Sequence, residues 1–258
     1  MRDTFKPLNE KLIFSNQEVK KTDYVSKVLP YPLEDGDMSA YDELAGTLYA
    51  PEERAKYEWA IGAVISGDAK YLEKFEVFFG DKGSGKSTIL KIIHALFKGF
   101  DSTFKAQDLG SKTNAFSLEA FKNNPLVAIQ YDGNLSRIED NTTLNSLVSH
   151  EPVVVNAKYE KQYQAHFNTF LFMGTNYPVK ITDAKSGILR RLIDVRPSGK
   201  KVPKRRYDEL FAKAINFERG AIASHCLKLY NDMGPSYYDD YIPREMMAAT
   251  NDFFDFID

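Results

Sequence analysis

Features of extracellular, zinc-binding and membrane-spanning proteins are scarce in this sequence. Its 258 residues include a single cysteine, Cys226, so an internal disulfide is excluded and a reducing cytosol is the expected environment. The four histidines lie far apart, and none has the spacing to a cysteine or carboxylate that zinc sites use. No apolar run approaches the ~20 residues of a membrane span, and residues 1–6 lack a signal-like apolar region. We therefore expect no membrane association.

A strong bias of charge is also absent. The formal net charge is −2, so any contact with DNA or RNA must come from local basic segments rather than from the surface as a whole. With 43% hydrophobic residues, the chain can bury a substantial core. Its length fits one large domain, or one core with small appendages.

The most informative motif is a phosphate loop at residues 80–87, which read Gly-Asp-Lys-Gly-Ser-Gly-Lys-Ser. A strand-like apolar run precedes it, and an apolar segment with helical spacing follows. Backbone N–H groups and the helix N-terminus would bind a phosphate chain there. Lys86 would reach the β- and γ-phosphates, and the Ser87 hydroxyl would ligate Mg²⁺. The residues predicted to bind the nucleotide are Gly80, Asp81, Lys82, Gly83, Ser84, Gly85, Lys86, Ser87 and Thr88.

The strand pattern predicts an α/β fold. Apolar runs at 75–79, 126–131, 169–174 and 192–195 are typical of buried strands. Helices between them imply a three-layer α/β/α P-loop NTPase core with a mainly parallel sheet, whose ligands bind at the carboxyl ends of the strands.

Three stretches of the chain are expected to differ in character. Residues 1–70 form a leader and a helical collar or lid, with one helix from Tyr41 and another from Pro51. Residues 71–198 form the ATPase core. Residues 199–258 comprise a basic linker, whose lysines and arginines lie at 200–206, and C-terminal helices at 207–218, at 220–231 and from Pro243. The last helix reaches Asp258 without a capping signal, which suggests a domain cut from a longer polypeptide.

The metal-holding acid is expected at Asp132, where an apolar strand ends in the manner of a Walker B element. Asp132 would hold Mg²⁺ through water and help to orient the attacking water. Many ATPases carry a second acid directly after the first, but Gly133 stands there in this chain. The catalytic base is therefore Asp132 itself or a later acid such as Glu139 or Asp140. The alternative for Asp132 is a turn-forming Asp-Gly pair.

Three further catalytic candidates follow strands or precede them. Asn176 lies at the end of a strand, where an amide would polarise water near the γ-phosphate; the alternative is a turn residue. Arg190 and Arg191 open the strand 192–195. Such arginines usually form surface ion pairs, but in an oligomeric ATPase one of them would act as an arginine finger on a neighbour's γ-phosphate.

In this order, these elements resemble the superfamily 3 helicases of viruses and phages, and most of all the poxvirus-type and phage primase-helicase branch. The resemblance covers residues 25–198. Its segments are Leu29-Pro30-Tyr31, Ile61-Gly62, Gly80–Ser87, the strand ending at Asp132, Leu144–Pro152, Gly174-Thr175-Asn176-Tyr177-Pro178 and Leu189-Arg190-Arg191-Leu192.

The resemblance implies an AAA+-like, usually hexameric helicase that uses ATP and Mg²⁺ to move on single-stranded DNA. ATP would lie between subunits, with residues 80–87, Asp132 and Asn176 from one subunit and Arg190 or Arg191 from the next. A primase or polymerase module of the same polypeptide is a further implied partner. The expected location is the cytoplasm of a bacterial host or a virus-infected cell.

The family also has a β-hairpin that projects into the pore of the ring, and the segment near 153–167 fits it. Lys158 and Lys161 would grip backbone phosphates, and Tyr159 would stack on a base. The alternative is an exposed hairpin with ordinary lysines.

Several departures keep other functions open. The second Walker B acid is missing, Ser149-His150-Glu151 replaces a frequent Gly-Gly-Asp, and Asn145 stands where many relatives have lysine. No primase-like carboxylate constellation is present. The alternatives are an initiator or loader without helicase activity, an ATP-binding assembly module without turnover, and a P-loop kinase.

Overall fold

The computed structural model describes residues 28–109, 118–134, 141–156, 162–179 and 187–248. In chain order its strands are β1 (Phe75–Phe79), β2 (Asp101–Thr103), β3 (Val127–Gly133), β4 (Val153–Val155), β5 (Tyr163–Ala165), β6 (Phe170–Thr175) and β7 (Leu192–Val195). The helices are α1 (Ser39–Leu48), α2 (Pro51–Ser66), α3 (Lys86–Leu96), α4 (Ala106–Leu109), α5 (Thr142–Val148), α6 (Ile188–Arg191), α7 (Lys204–Phe217), α8 (Arg219–Met233) and α9 (Arg244–Ala248). Short 3-10 turns span Asp68–Tyr71 and Glu119–Phe121.

The central sheet is parallel and has the order β2-β3-β6-β1-β7. Its strands are continuously apolar because both faces are covered. Along β6, Phe170 and Phe172 face one apolar core, whereas Leu171 and Met173 face another. Helices pack against both faces, so the predicted three-layer α/β/α fold is confirmed. The four predicted strands are confirmed with boundaries that differ by no more than two residues.

Helices from both ends of the chain pack on the same face of the sheet as α3. α2 lies so close to α8 that a Cβ on Gly62 would come within 2.2 Å of the Cys226 carbonyl oxygen. Trp59 Nε1 donates a hydrogen bond to the Gly234 carbonyl at 3.0 Å. One apolar core thus joins elements from all three predicted stretches of the chain.

Two sequence expectations about local structure are wrong. Arg190 and Arg191 do not open β7 but form the last turn of α6. Lys204-Arg205-Arg206 belong to α7 rather than to a linker, because Pro203, with its fixed φ, suits a helix start. Within the described ranges, no helix combines the length and apolarity needed to cross a membrane.

Candidate functional site

The carboxyl ends of three adjacent strands bring the predicted nucleotide site together. β1 runs into the phosphate loop, and its last residue, Phe79, pairs with Thr175 of β6. Thr175 also pairs with Gly133 at the end of β3. The parallel register therefore places Gly80, Asn176 and Asp132 at one edge of the sheet, where such folds bind ligands.

The phosphate loop has glycine at two positions where the backbone would strain any other residue. Gly83 and Gly85 have φ values of 78° and 105°, in the left-handed region that favours glycine. A Cβ on Gly85 would also meet Leu48 Cδ2 at 2.9 Å. α3 begins at Lys86, directly after the loop. Ser84 Oγ is buried and has no hydrogen-bond partner among the described residues, so it can donate to a phosphate oxygen.

Lys86 is held by oxygen atoms at the mouth of the loop. Its Nζ donates to the carbonyl oxygens of Gly80 at 2.6 Å and Asp81 at 2.8 Å, and to Asn176 Oδ1 at 2.8 Å. Burial lowers the pKa of Lys86, while the charges of Asp132 and Asp81 oppose this shift. The three acceptors take up all three donors of the ammonium group. A bound phosphate would replace some of them.

Asn176 connects this lysine to the predicted metal-holding acid. While its Oδ1 accepts from Lys86, its Nδ2 donates to Asp132 Oδ1 at 3.2 Å. Asp132 lies within β3 and its side chain is exposed to solvent. The structure thus brings Lys86, Asn176 and Asp132 into one hydrogen-bonded chain.

A second acid at the position after Asp132 would require the Gln130 side chain to move. A Cβ on Gly133 would lie 1.8 Å from Gln130 Nε2. Gln130 is itself fixed, because its Oε1 accepts a hydrogen bond from the Ala106 amide at 2.8 Å. Of the three acids considered as catalytic base, Glu139 and Asp140 lie outside the described residues, which leaves Asp132 as the candidate that the structure describes.

The donor chemistry at this edge fits Mg²⁺ bound together with a nucleotide. The hydroxyl of Ser87 and the carboxylate of Asp132 are both on exposed residues and are oxygen ligands. Mg²⁺ prefers oxygen and is commonly held by one or two protein groups plus substrate phosphates and water. These two residues would hold it.

A cleft of about 250 Å³ opens beside the loop. Its far wall is made by Leu48, Lys201, Val202 and Tyr207, none of which the sequence pattern had indicated. Thr88 Oγ1 donates to the Tyr207 hydroxyl at 3.3 Å and so joins α3 to α7. Leu48 and Val202 make part of this wall apolar, and the Tyr207 ring and Lys201 complete it.

The predicted arginines lie at the opposite edge of the sheet. Leu192, which follows them, pairs with Phe75 at the start of β1. β1 is 5 residues long, so at about 3.3 Å per residue its ends are roughly 13 Å apart. The structure therefore does not bring Arg190 or Arg191 to the phosphate loop of their own chain.

The two arginines differ sharply in exposure. The Arg190 side chain is 65% exposed and lies 3.1 Å from Glu73 Oε2. The Arg191 side chain is 9% exposed, and its Nη2 donates to Ser149 Oγ at 2.6 Å. Burial, followed by the charge of Arg190, lowers the pKa of Arg191, while Glu73 and Glu151 oppose this shift.

β4 and β5 form an antiparallel pair in the region of the predicted pore hairpin. Val153 and Val155 are buried, whereas Val154 and Tyr163 are exposed. The predicted DNA-contacting residues of the tip, Lys158, Tyr159 and Lys161, lie outside the described residues.

Comparisons with known proteins establish the fold. A protein family described as "Family of unknown function (DUF5906)" matches residues 78–191, from the end of β1 to Arg191. No curated protein matches the chain. An apo structure of the NrS-1 C-terminal region matches with a TM-score of 0.61 at 14% identity, over 87% of this chain and 55% of that one. A second NrS-1 structure gives 0.59 at 16% identity, over 84% and 55%.

The chain shares the fold of the NrS-1 C-terminal region. It spans about half the length of those structures. A structure of JCV helicase bound to a small molecule matches with a TM-score of 0.43 at 14% identity, over 83% of this chain and 58% of that one. We draw nothing from a similarity that low.

Proposed function

We propose that this chain is an ATP-hydrolysing helicase or translocase domain of a phage or mobile-element replication protein, working between copies of itself on single-stranded DNA. The observation that carries the proposal is the hydrogen-bonded chain Lys86–Asn176–Asp132 at the mouth of the phosphate loop. It joins a phosphate-binding cation, a water-polarising amide and an acid at one edge of the sheet.

Lys86, Asn176 and Asp132 each have a role in hydrolysis. ATP with Mg²⁺ supplies the phosphoanhydride that is cleaved. Lys86 exchanges loop carbonyls for phosphate oxygens and offsets the charge that builds up in the transition state. Asn176 holds Asp132 in place, and Asp132 accepts a proton from the attacking water as general base.

Neither Arg190 nor Arg191 lies near the phosphate loop of its own chain, so in this proposal the predicted arginine comes from another copy. Because β1 separates Arg190 from its own phosphate loop, Arg190 reaches a γ-phosphate only on a neighbouring subunit. Contacts between two different surfaces repeat head to tail and form a ring where the rotation between copies closes, an arrangement compatible with the hexamer implied by the resemblance. The predicted DNA contacts, Lys158, Tyr159 and Lys161, would serve a ring of this kind.

ATP turnover with and without single-stranded DNA tests the proposal. Lys86→Ala and Arg190→Ala should each abolish turnover. A mixture of the two should regain it, because Lys86→Ala subunits still donate Arg190 to the intact loops of the other variant. Lys91→Ala, which removes an exposed lysine on α3, is the matched control and should behave as wild type. Turnover unaffected by Lys86→Ala would refute the assignment.

The space around Gly133 supports a second candidate, an ATP-binding assembly module without turnover. Gln130 fills the place of the second acid that many ATPases use. Such a module would bind ATP through Lys86 and associate on binding, yet it would release no phosphate with or without DNA. The same assay, with ATP binding measured beside turnover, separates the two functions.

A further inference from the structure

The one-turn helix α6, which carries both arginines, is fastened from within its own chain. Arg191 Nε and Nη2 donate to Ser149 Oγ at 3.0 and 2.6 Å. Its Nη1 donates to the Gly187 carbonyl, at the start of the same helix, at 3.0 Å. The guanidinium of Arg191 is therefore committed to holding α6 and is not free to reach a nucleotide.

The other end of α6 is clamped by a buried lysine. Lys74 Nζ donates to the Arg190 carbonyl at 2.6 Å and to the Asp239 carbonyl at 3.0 Å. The last carbonyls of a helix lack intrahelical partners, so Lys74 supplies a donor that α6 itself does not provide. Lys74 directly precedes β1 and thus fixes α6 to the amino end of that strand.

Only the side chain of Arg190 remains available to a second molecule. Its partner Glu73 is half exposed, and the same Glu73 Oε2 also lies 3.3 Å from Arg191 Nη2. An ion pair between exposed groups is worth only about 0–1 kcal/mol. Arg190 can therefore exchange Glu73 for a phosphate at little cost while its backbone stays in place.

The residue that follows Ser149 anchors this segment to its surroundings. The ring nitrogens of the next residue, His150, lie 2.8 Å from the Phe167 carbonyl oxygen and 3.1 Å from that of Leu72. Phe167 follows β5 and Leu72 precedes β1, so Ser149 sits at a junction of the hairpin, the sheet and α6.

We propose that the two arginines have separate roles. Arg191 holds α6 in place, and Arg190 alone acts on the neighbouring copy. Ser149 and Lys74 are the residues that position Arg190. This inference rests on the proposed function. It explains why the Ser149-His150-Glu151 segment departs from the pattern of the proteins that the chain resembles, since the serine hydroxyl is the acceptor for Arg191.

The test compares Ser149→Ala and Lys74→Met with Arg190→Ala in steady-state ATP turnover. Arg190→Ala should lower kcat by about 10³-fold without changing Tm, because its side chain is exposed. Ser149→Ala and Lys74→Met should lower kcat by about 10- to 100-fold through misplacement of Arg190, with KM close to that of wild type. Ser149→Thr, which keeps the hydroxyl, should restore kcat, and Ser146→Ala is the matched control on the same segment.

Mixing with Lys86→Ala subunits separates positioning from damage to the variant's own site. Those subunits carry a well-placed Arg190, so they should restore turnover at the intact loops of Ser149→Ala and Lys74→Met. Tm is measured for every variant, and rates are normalised to folded protein. Wild-type kcat in both variants, or no recovery on mixing, overturns the inference while leaving the proposed function standing. Absence of turnover in wild type overturns both.

Discussion

A buried carboxyl within β1 should make the protein less stable as pH rises. Glu76 is fully buried, and neither of its oxygens has a hydrogen-bond partner among the described residues. The nearby Lys56 does not compensate, because its three donors are used by Glu53, the Asp194 carbonyl and the Tyr241 hydroxyl. Burial therefore raises the pKa of Glu76 well above its usual range, with Lys56 opposing and Glu53 adding to the shift.

The sign of the effect follows from proton binding. Above the unfolded pKa of about 4.3, the folded protein holds a proton on Glu76 that the unfolded chain releases. Stability is therefore fully present below that pH and is lost as pH rises toward the folded pKa. The slope approaches about 1.4 kcal/mol per pH unit for this one group.

Glu76→Gln keeps the size of the side chain and removes its titration. We expect wild type and variant to have similar unfolding free energies at pH 4. The variant should become the more stable of the two as pH rises toward 8, with the difference growing by up to about 1.4 kcal/mol per pH unit. Urea unfolding followed by circular dichroism across this range measures the difference. Glu52→Gln, on an exposed site, should leave the pH dependence unchanged. A variant that is less stable than wild type at pH 8 would show that Glu76 is charged and paired in the folded protein.

Three further substitutions probe local geometry. Gly133→Glu should cost about 1–3 kcal/mol of unfolding free energy, because the new side chain collides with Gln130; unchanged urea unfolding would contradict that packing. Glu218→Gln should cost about 0.5–2 kcal/mol, because the carboxylate accepts the first amides of α1 at 3.1 and 2.8 Å, and an equal Tm would argue against such a cap. Gly85→Ala should weaken nucleotide binding in calorimetry, since its φ of 105° and the contact with Leu48 exclude a methyl group.

The long apolar strands were predictable because burial on both faces leaves a continuous signal, as in Phe170–Thr175. The phosphate loop was predictable because few residues other than glycine adopt its positive φ values. Short elements such as α6 and β2 carry too few residues for a periodic pattern, and α6 was mistaken for the start of a strand.

Contacts between distant segments set the rest of the site. The sequence of an Arg-Arg pair does not show which arginine is buried and which is exposed. That difference depends on the contact of Arg191 with Ser149, 42 residues away, and on the contact of Arg190 with Lys74, 116 residues away. The cleft wall at Leu48 and Tyr207 likewise depends on tertiary packing. Gln130, whose side chain occupies the space beside Gly133, could be recognised only with coordinates.

The length of β1 has a consequence for how activity should depend on protein concentration. The phosphate loop lies at one end of the strand and Arg190 at the other, so under the proposed function a single copy carries parts of two different catalytic sites. An open row of copies always leaves one loop without an arginine, whereas a closed ring leaves none. Rate per subunit should therefore rise steeply on association, while the affinity of each loop for ATP stays nearly the same.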